Sequence, residues 1–478
     1  MNLRKTLRHG LVWLLTLTLS QLVLAANGPQ YASHGMVVSQ NALASEAGAQ
    51  VLREGGNAID AAVATAFALA VTHPTAGNIG GGGFLIHRPA KGDAQTYDFR
   101  EKAPAAAHPE MWLDEAGNYD YEKHHSSHLA VGVPGTVAGL HLAWQDGGTL
   151  PWARLVAPAI ALARDGFPVT HGLARSLSTT GMRRFEPYPA SVAQFTKDGT
   201  PYEAGDRLVQ RDLAATLERI AEAGPKGFYE GETADLLVKE MAANGGIITH
   251  DDLKAYEAVR RAPILGSYRG YEIIGMPPPS SGGVTMVQML NVLEGYDLSA
   301  SGFGSARTLH LMTEAMRRGY ANRARYLGDP DFNPDMPLAE LLSKDYATAL
   351  RESIDEKTAS VSDPGSFTWG YESPETTHFS VVDGARNAVS VTYTLEYSYG
   401  SGIVVPGAGF LLNNEMGDFN GKPGLTDTRG LIGTPPNVAE PGKRMLSSMS
   451  PTIVAKDGAL FMVTGSPGGR TIINTTLQ

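Results

Sequence analysis

A change of pattern near residue 376 is compatible with an α+β fold. Before it, helical periodicity runs through the alanine-rich Ile59–Val71, through Trp152–Asp165 and through Ala306–Tyr326. After it, alternating residues form two hairpins. One folds Thr377–Asp383 against Ala388–Thr394 about the turn Gly384-Ala385-Arg386-Asn387. The other folds Ser450–Val454 against Leu460–Gly465 about Lys456-Asp457-Gly458. The 478 residues are 42% hydrophobic and 18% charged, a globular balance that supports one or two domains with a large core.

In chain order, a targeting segment comes first. Arg4, Lys5 and Arg8 precede the mostly apolar Gly10–Leu24, and Val23-Leu24-Ala25 suits cleavage after Ala25. The apolar run is short for a membrane span, which needs about 20 residues. Residues 1–25 therefore read as a signal peptide, and the mature chain as periplasmic or secreted with no stable membrane span. The net charge of −10 disfavours nucleic acid as a partner. The chain has no cysteine, which removes disulfides, thiol catalysis and thiolate metal sites together. His124, His125 and His128 form the one histidine cluster and read as solvated surface rather than metal ligands.

Residues 35–44 read as a strand entering a helix, which continues to Leu52. Gly80-Gly81-Gly82-Gly83 enters an apolar run. No Gly-Lys-Ser/Thr follows, so close packing of backbone against backbone is expected there rather than a phosphate cradle. Gln95–Arg100 reads as a strand, and a helical run starts at Thr136. Residues 211–260 alternate helical runs with glycine turns, and Thr249-His250-Asp251-Asp252 starts a helix. Met276–Gly283 reads as a rigid loop before a helix at Val284–Leu293. Residues 327–375 are looser and form the most plausible exposed boundary.

Thr376 and Thr377 follow that boundary. A hydroxyl at the start of a strand becomes a nucleophile once the preceding peptide bond is cut, because the new α-amine, with a pKa near ~8, can serve as its base. Folding the hairpin about a four-residue turn sets Thr376 opposite Thr394 and Leu395.

These residues resemble the γ-glutamyltranspeptidase (glutathione hydrolase) family. The matching stretches are Asn78–Phe84, Arg100-Glu101-Lys102-Ala103-Pro104, Gly132–Thr136, Pro278–Gly283, Thr376-Thr377-His378, Leu412–Met416, Pro441–Arg444, Leu446–Thr452 and Gly465–Gly469. The resemblance implies a four-layer α/β/β/α sandwich of the N-terminal-nucleophile hydrolase type. It implies self-cleavage at Glu375-Thr376 into a large region, 26–375, and a small region, 376–478, that remain associated in one interwoven domain. Thr376 matches the nucleophile, Thr394 its hydrogen-bonding threonine, and Gly468 and Gly469 the oxyanion donors. Arg100, Ser447 and Ser448 match groups that hold the glutamate α-carboxylate, and Asp418, Glu415 and Glu396 match groups facing its α-ammonium. The activity implied is γ-glutamyl transfer or hydrolysis on glutathione and related amides, with water, an amino acid or a peptide as acceptor and no metal or organic cofactor.

Three departures stand out. Glu396 sits where many members have Asn, and Arg429 sits where many place an aromatic lid residue. The chain ends at Gln478 while members of the family continue, which implies an incomplete, truncated sheet. The alternative readings are a glutaryl-type β-lactam acylase on the same fold and an unprocessed remnant that binds γ-glutamyl compounds.

Overall fold

The computed structural model describes residues 29–361, 376–424 and 433–478. The signal segment, Glu375 and Arg429 lie outside the described residues. The chain divides into a short unit, Met1–His34, and a large one, Gly35–Gln478, which carries all the elements below.

These elements are β1 (Gly35–Val38), α1 (Ala42–Arg53), α2 (Ala58–Thr72), β2 (Gly82–Arg88), β3 (Gln95–Phe99), α3 (Thr136–Gly147), α4 (Trp152–Asp165), α5 (Arg211–Ala223), α6 (Gly231–Ala243), β4 (Val259–Arg261), β5 (Ile264–Tyr268), β6 (Tyr271–Gly275), α7 (Gly282–Leu293), α8 (Ala306–Tyr326), α9 (Lys344–Glu352), β7 (Thr377–Asp383), β8 (Ala388–Thr394), β9 (Thr452–Lys456), β10 (Ala459–Thr464) and α10 (Ile472–Leu477). Caps set several of the starts. Asn57 and Asp60 form a reciprocal capping box at α2, and the helix expected after Thr249 runs over His250–Lys254 behind a Thr249–Asp252 box.

One sheet has the order β1-β7-β8-β2-β3-β4, and a second has β10-β9-β6-β5, all antiparallel. Strand alternation sorts the side chains into layers. Leu85, Tyr97, Phe379, Val381 and Val391 join the core formed with α1–α4, while Phe84 and Ile86 pack between the sheets against Ile274, Met276 and Ile453. Beyond the second sheet, Ile264, Ile273 and Val454 meet Val287 of α7 and Leu311 of α8. The result is an α/β/β/α sandwich. β10 is the edge of the second sheet, where Phe461 is 57% and Met462 44% exposed.

The glycine run is backbone against backbone, as expected. A Cβ on Gly80 would lie 2.2 Å from the Leu411 carbonyl oxygen, on Gly81 2.2 Å from that of Thr394, and on Gly82 2.4 Å from that of Phe99. Two buried amides lock the run. Asn78 donates to the carbonyls of Ala76 and Thr394 and accepts from Gly81 N and Thr136 Oγ1. Asn413 donates to the carbonyls of Gly80 and Gly132 and accepts from the N–H groups of Gly132 and Glu415.

The structure corrects three readings. The first hairpin turns through three residues, not four: Asp383 and Asn387 close the loop, and Arg386 takes a left-handed φ of 72°. Thr377 therefore pairs with Tyr393 and His378 with Thr392, which puts Thr376 level with Thr394 alone. Strands β4–β6 were not foreseen, because arginines, Gly266 and Ser267 dilute their alternation. Gly266 is there because α7 crosses closely: a Cβ on it would meet Val287 at 2.5 Å. The histidine cluster is interior rather than solvated. His124 bonds the nearby Tyr119 and the Met416 carbonyl, and His128 bonds Glu240, and Met416 and Glu240 come from distant parts of the chain.

Replacing Asn413 with Ala should orphan three buried backbone groups, Gly132 N–H, the Gly132 carbonyl and Glu415 N–H, while the Gly80 carbonyl keeps the Asn413 N–H, at about 1–3 kcal/mol for each group that water cannot reach. Urea unfolding of Asn413→Ala is expected to show a loss of at least about 2 kcal/mol; a loss within error would show that the neighbouring backbone repairs itself.

Candidate active site

Thr376 lies one residue before β7 and Thr394 ends β8, so the hairpin register makes them neighbours. Their hydroxyl oxygens are 3.4 Å apart and both residues are buried. Thr394 Oγ1 also accepts the Glu396 N–H at 3.0 Å, and its carbonyl is held by Asn78. Glu396 itself has φ 77°. That left-handed backbone suits Asn better than Glu.

Beside the threonines, His378 bonds Thr392 Oγ1 at 2.9 Å and Ser380 Oγ at 3.0 Å. Burial pushes its pKa down to about 3, so the imidazole is neutral at physiological pH. Its ring occupies the space that a Cβ on Gly465 would need, at 2.3 Å, and so the Gly465–Gly469 loop rests against β7. In that loop Gly468 has φ 127°, a conformation side chains rarely adopt, and Gly469 has φ 53°. The hydroxyl of Tyr320, on α8, donates to the Arg470 carbonyl just beyond.

The loop, the two threonines and the 395–418 segment surround an open cavity of about 360 Å³. Its walls are Thr376, Thr394, Glu396, Tyr397, Glu415, Asp418, Ser447, Ser448, Met449, Gly469 and Ile472. Eight of the ten residues singled out in the sequence thus line one cavity. Gly468 adjoins it through Gly469. Arg100 stands behind the wall, fully buried, donating to the carboxylates of Glu415 and Asp418 and to the Met445 carbonyl at 3.3 Å.

The electrostatics around Arg100 are crowded. Burial opposes its charge, but Glu415, Asp418 and Glu101 outweigh that and keep it protonated. Glu101, fully buried, lies 3.6 Å from the guanidinium and has neither oxygen hydrogen-bonded. Burial, then the nearby Glu415, hold its carboxyl well above the usual range, against the pull of Arg100. Burial also pushes Glu415 up to about 8, opposed by Arg100 and reinforced by Asp418 and Glu396. One cation cannot keep the fully buried Glu101 and Glu415 ionised together with the partly exposed Asp418.

The serine pair is held from the large region. Ser447 N–H donates to the Pro279 carbonyl at 2.9 Å. The Ser447 carbonyl accepts from Ser281 N–H at 2.8 Å and from Ser281 Oγ at 2.6 Å. Ser280 Oγ donates to the Met449 carbonyl at 2.7 Å. The Pro278–Gly283 stretch is therefore a backbone clamp for the serines. Sequence reasoning did not find Tyr397, Met449 or Ile472 as walls, nor Tyr320 as a support of the loop or Arg323, which donates to the Ser281 and Ser448 hydroxyls, as a support of the serines. Met449 lies inside the Leu446–Thr452 motif, but the others sit in stretches whose residue types carry no catalytic pattern, and only folding brings them to the site.

A threonine at a strand start, facing a second threonine inside an α/β/β/α sandwich, defines the N-terminal-nucleophile hydrolase class. Within that class the comparisons are specific. The gamma-glutamyltranspeptidase family profile matches residues 44–478. The glutathione hydrolase proenzyme of Escherichia coli (strain K12) is 52% identical over 453 residues, covering 94% of this chain and 78% of the relative. The crystal structure of Helicobacter pylori gamma-glutamyltranspeptidase is 47% identical with a TM-score of 0.68, covering 70% of this chain and 95% of that one. A cephalosporin acylase from Bacillus halodurans superposes with a TM-score of 0.81 at 29% identity, covering 95% and 82%. This chain belongs to the gamma-glutamyltranspeptidase family.

The raised Glu415 has a measurable consequence. Its proton is kept by the folded state and released by the unfolded one above about pH 4.5. Its contribution to stability is therefore present below that pH and lost as pH rises through about 8. Gln at 415 cannot titrate, so the stability of Glu415→Gln relative to wild type should increase between pH 5 and pH 8. Urea unfolding at those two values checks this, and an unchanged difference between pH 5 and pH 8 would mean that Glu415 is ionised throughout.

Proposed function

We propose that this protein is an exported γ-glutamyl transferase and hydrolase acting on glutathione and other γ-glutamyl amides. The observation that carries this reading is the opposition of walls in one cavity. The Thr376 hydroxyl, 3.4 Å from that of Thr394, faces a wall made of Glu415, Asp418, Ser447 and Ser448.

In the first reaction Thr376 Oγ1 attacks the carbonyl carbon of Glu375, and the bond to the Thr376 nitrogen breaks. Water cleaves the resulting ester, which leaves a carboxylate on Glu375 and an α-amine on Thr376. Residues 26–375 and 376–478 stay together because strands of both form each sheet: β7 and β8 pair with β1 and β2, and β9 pairs with β6. In the second reaction the new amine takes the proton of the Thr376 hydroxyl, and Oγ1 attacks the γ-carbonyl of the substrate. The N–H groups of Gly468 and Gly469 meet the oxyanion, and one such donor is worth about 2.7–4 kcal/mol. The proton passes to the departing amine. Water or an acceptor amine then attacks the γ-glutamyl-Thr376 ester and regenerates the hydroxyl.

The glutamyl end is a zwitterion, and that suits the ion pairs found here. Inserting it between Arg100 and the acids gives Arg100 the α-carboxylate, with Ser447 and Ser448 as further donors. It leaves Asp418, Glu415 and Glu396 facing the α-ammonium, so no buried charge loses a partner. A glutaryl group would separate Arg100 from its acids without supplying a cation to them. The similarity to a cephalosporin acylase favours the glutaryl alternative, and substrate comparison separates the two.

Three measurements test the reading. Purified wild type should yield two polypeptides, the smaller beginning at Thr376, whereas Thr376→Ala should stay as one chain; an intact wild type would overturn the reading. Arg100→Ala should raise KM for a γ-glutamyl anilide by on the order of 100-fold or more while self-cleavage proceeds, and equal damage to both would assign Arg100 to folding. A γ-glutamyl anilide should be turned over at least about tenfold faster than its glutaryl counterpart; comparable rates would favour the acylase.

A further inference from the structure

We propose that Arg323 is a positioning residue for the α-carboxylate subsite, fixing the Ser448 hydroxyl so that its proton points into the cavity. The inference rests on the reading of Ser447 and Ser448 as carboxylate donors.

Arg323 lies in α8, 7% exposed. Its Nε donates to Ser281 Oγ at 2.8 Å and its Nη2 to Ser448 Oγ at 2.9 Å. A guanidinium has donors and no acceptor, so both serine oxygens must be accepting. The outcome for each hydroxyl proton then follows. Ser281 sends its proton to the Ser447 carbonyl at 2.6 Å. Among the described residues Ser448 Oγ makes no bond as a donor, and Ser448 lines the cavity. A hydroxyl rotor that would otherwise turn freely is thereby held with its oxygen toward Arg323 and its proton toward the place where the α-carboxylate oxygen would sit.

The fork acts on both serines of the subsite. One arm reaches Ser448 directly, and the other reaches Ser447 through Ser281, whose N–H and Oγ both bond the Ser447 carbonyl. Accepting from a cation also polarises the Ser448 hydroxyl and makes it a stronger donor. Its placement depends on α8, which also holds the oxyanion loop: Tyr320, three residues earlier and on the same helix face, donates to the Arg470 carbonyl. One helix thus aligns the carboxylate subsite and the oxyanion loop relative to each other. Lysine, with one compact ammonium, does not reproduce a planar two-arm fork.

The test measures KM, kcat and self-cleavage for Arg323→Lys, Ser448→Ala and the double variant with a γ-glutamyl anilide. Inhibition by L-glutamate and by 4-aminobutyrate, which lacks the α-carboxylate, is measured alongside. Arg323→Lys is expected to raise KM and the glutamate inhibition constant by on the order of tenfold, with kcat, self-cleavage and 4-aminobutyrate inhibition within about twofold of wild type. The double variant should exceed Ser448→Ala by no more than the two- to fivefold of the Ser281 arm, about as in Ser281→Ala, because the Arg323–Ser448 arm acts as one unit. Full additivity, or equal damage to kcat, processing and 4-aminobutyrate binding, would make Arg323 merely structural and overturn the proposal. If Ser448→Ala leaves KM unchanged, the carboxylate reading itself fails. If Ser448→Ala raises KM and Arg323→Lys does not, only the present inference fails. Ser281→Ala loosens the other arm while keeping the guanidinium. It should raise KM by about two- to fivefold, and an unchanged KM there overturns the proposal even if Arg323→Lys does not mature.

Discussion

The site depends on the antiparallel pairing of β7 with β8. Because side chains alternate along a strand, a shift of one residue would turn the whole set to the opposite face. With Asp383 and Asn387 closing a three-residue loop, Thr376 comes level with Thr394, and Phe379 and Val381 face the helical layer while His378 and Ser380 face the second sheet. The same register sets β8 against β2, where Thr394 pairs with Gly82. That contact is possible because the glycine run accepts carbonyl oxygens where a Cβ would stand. The position of Thr376 is thus a consequence of backbone pairing across three strands, β7, β8 and β2.

Charge is the second constraint. Arg100, Glu101, Glu415 and Asp418 converge in a space with little access to water. Burial and mutual repulsion raise the Glu101 and Glu415 carboxyls, so protons rather than further cations limit the repulsion among these acids. A ligand carrying one positive and one negative group on the same carbon matches such a pocket, since each charge exchanges one partner for another. This gives a physical basis for selectivity toward an α-amino acid group that does not depend on shape alone.

Support for the site is distributed over distant parts of the chain. The Pro278–Gly283 stretch clamps the Ser447–Met449 backbone, and α8 reaches both Ser448 and the loop after Gly469. Such supports do not touch the reacting atoms. They matter because a hydroxyl proton or a backbone N–H is useful only in one direction, and a direction is held by what lies behind the group.

Much of this was legible in the sequence. Long helical runs and alternating hairpins were compatible with the α+β chain that the resemblance implied, the boundaries of Trp152–Asp165 and Ala306–Tyr326 followed from periodicity, and the order of the motifs identified the family and pointed to candidate residues of which eight line one cavity. Local signals suffice where one residue type has one common use, as with glycines that admit a close backbone or threonine at a strand start. Periodicity could not find β4–β6, where Gly266 is explained by the crossing of α7 and Arg261 by its partners Asp98 and Asp331. It likewise misread His124, His125 and His128, because polar residues are interior only if folding brings them acceptors. The exact hairpin register, the pairing of Arg100 with two acids and the fork of Arg323 were decided by the tertiary structure alone. They depend on distances between residues far apart in the chain, and those distances are set by packing.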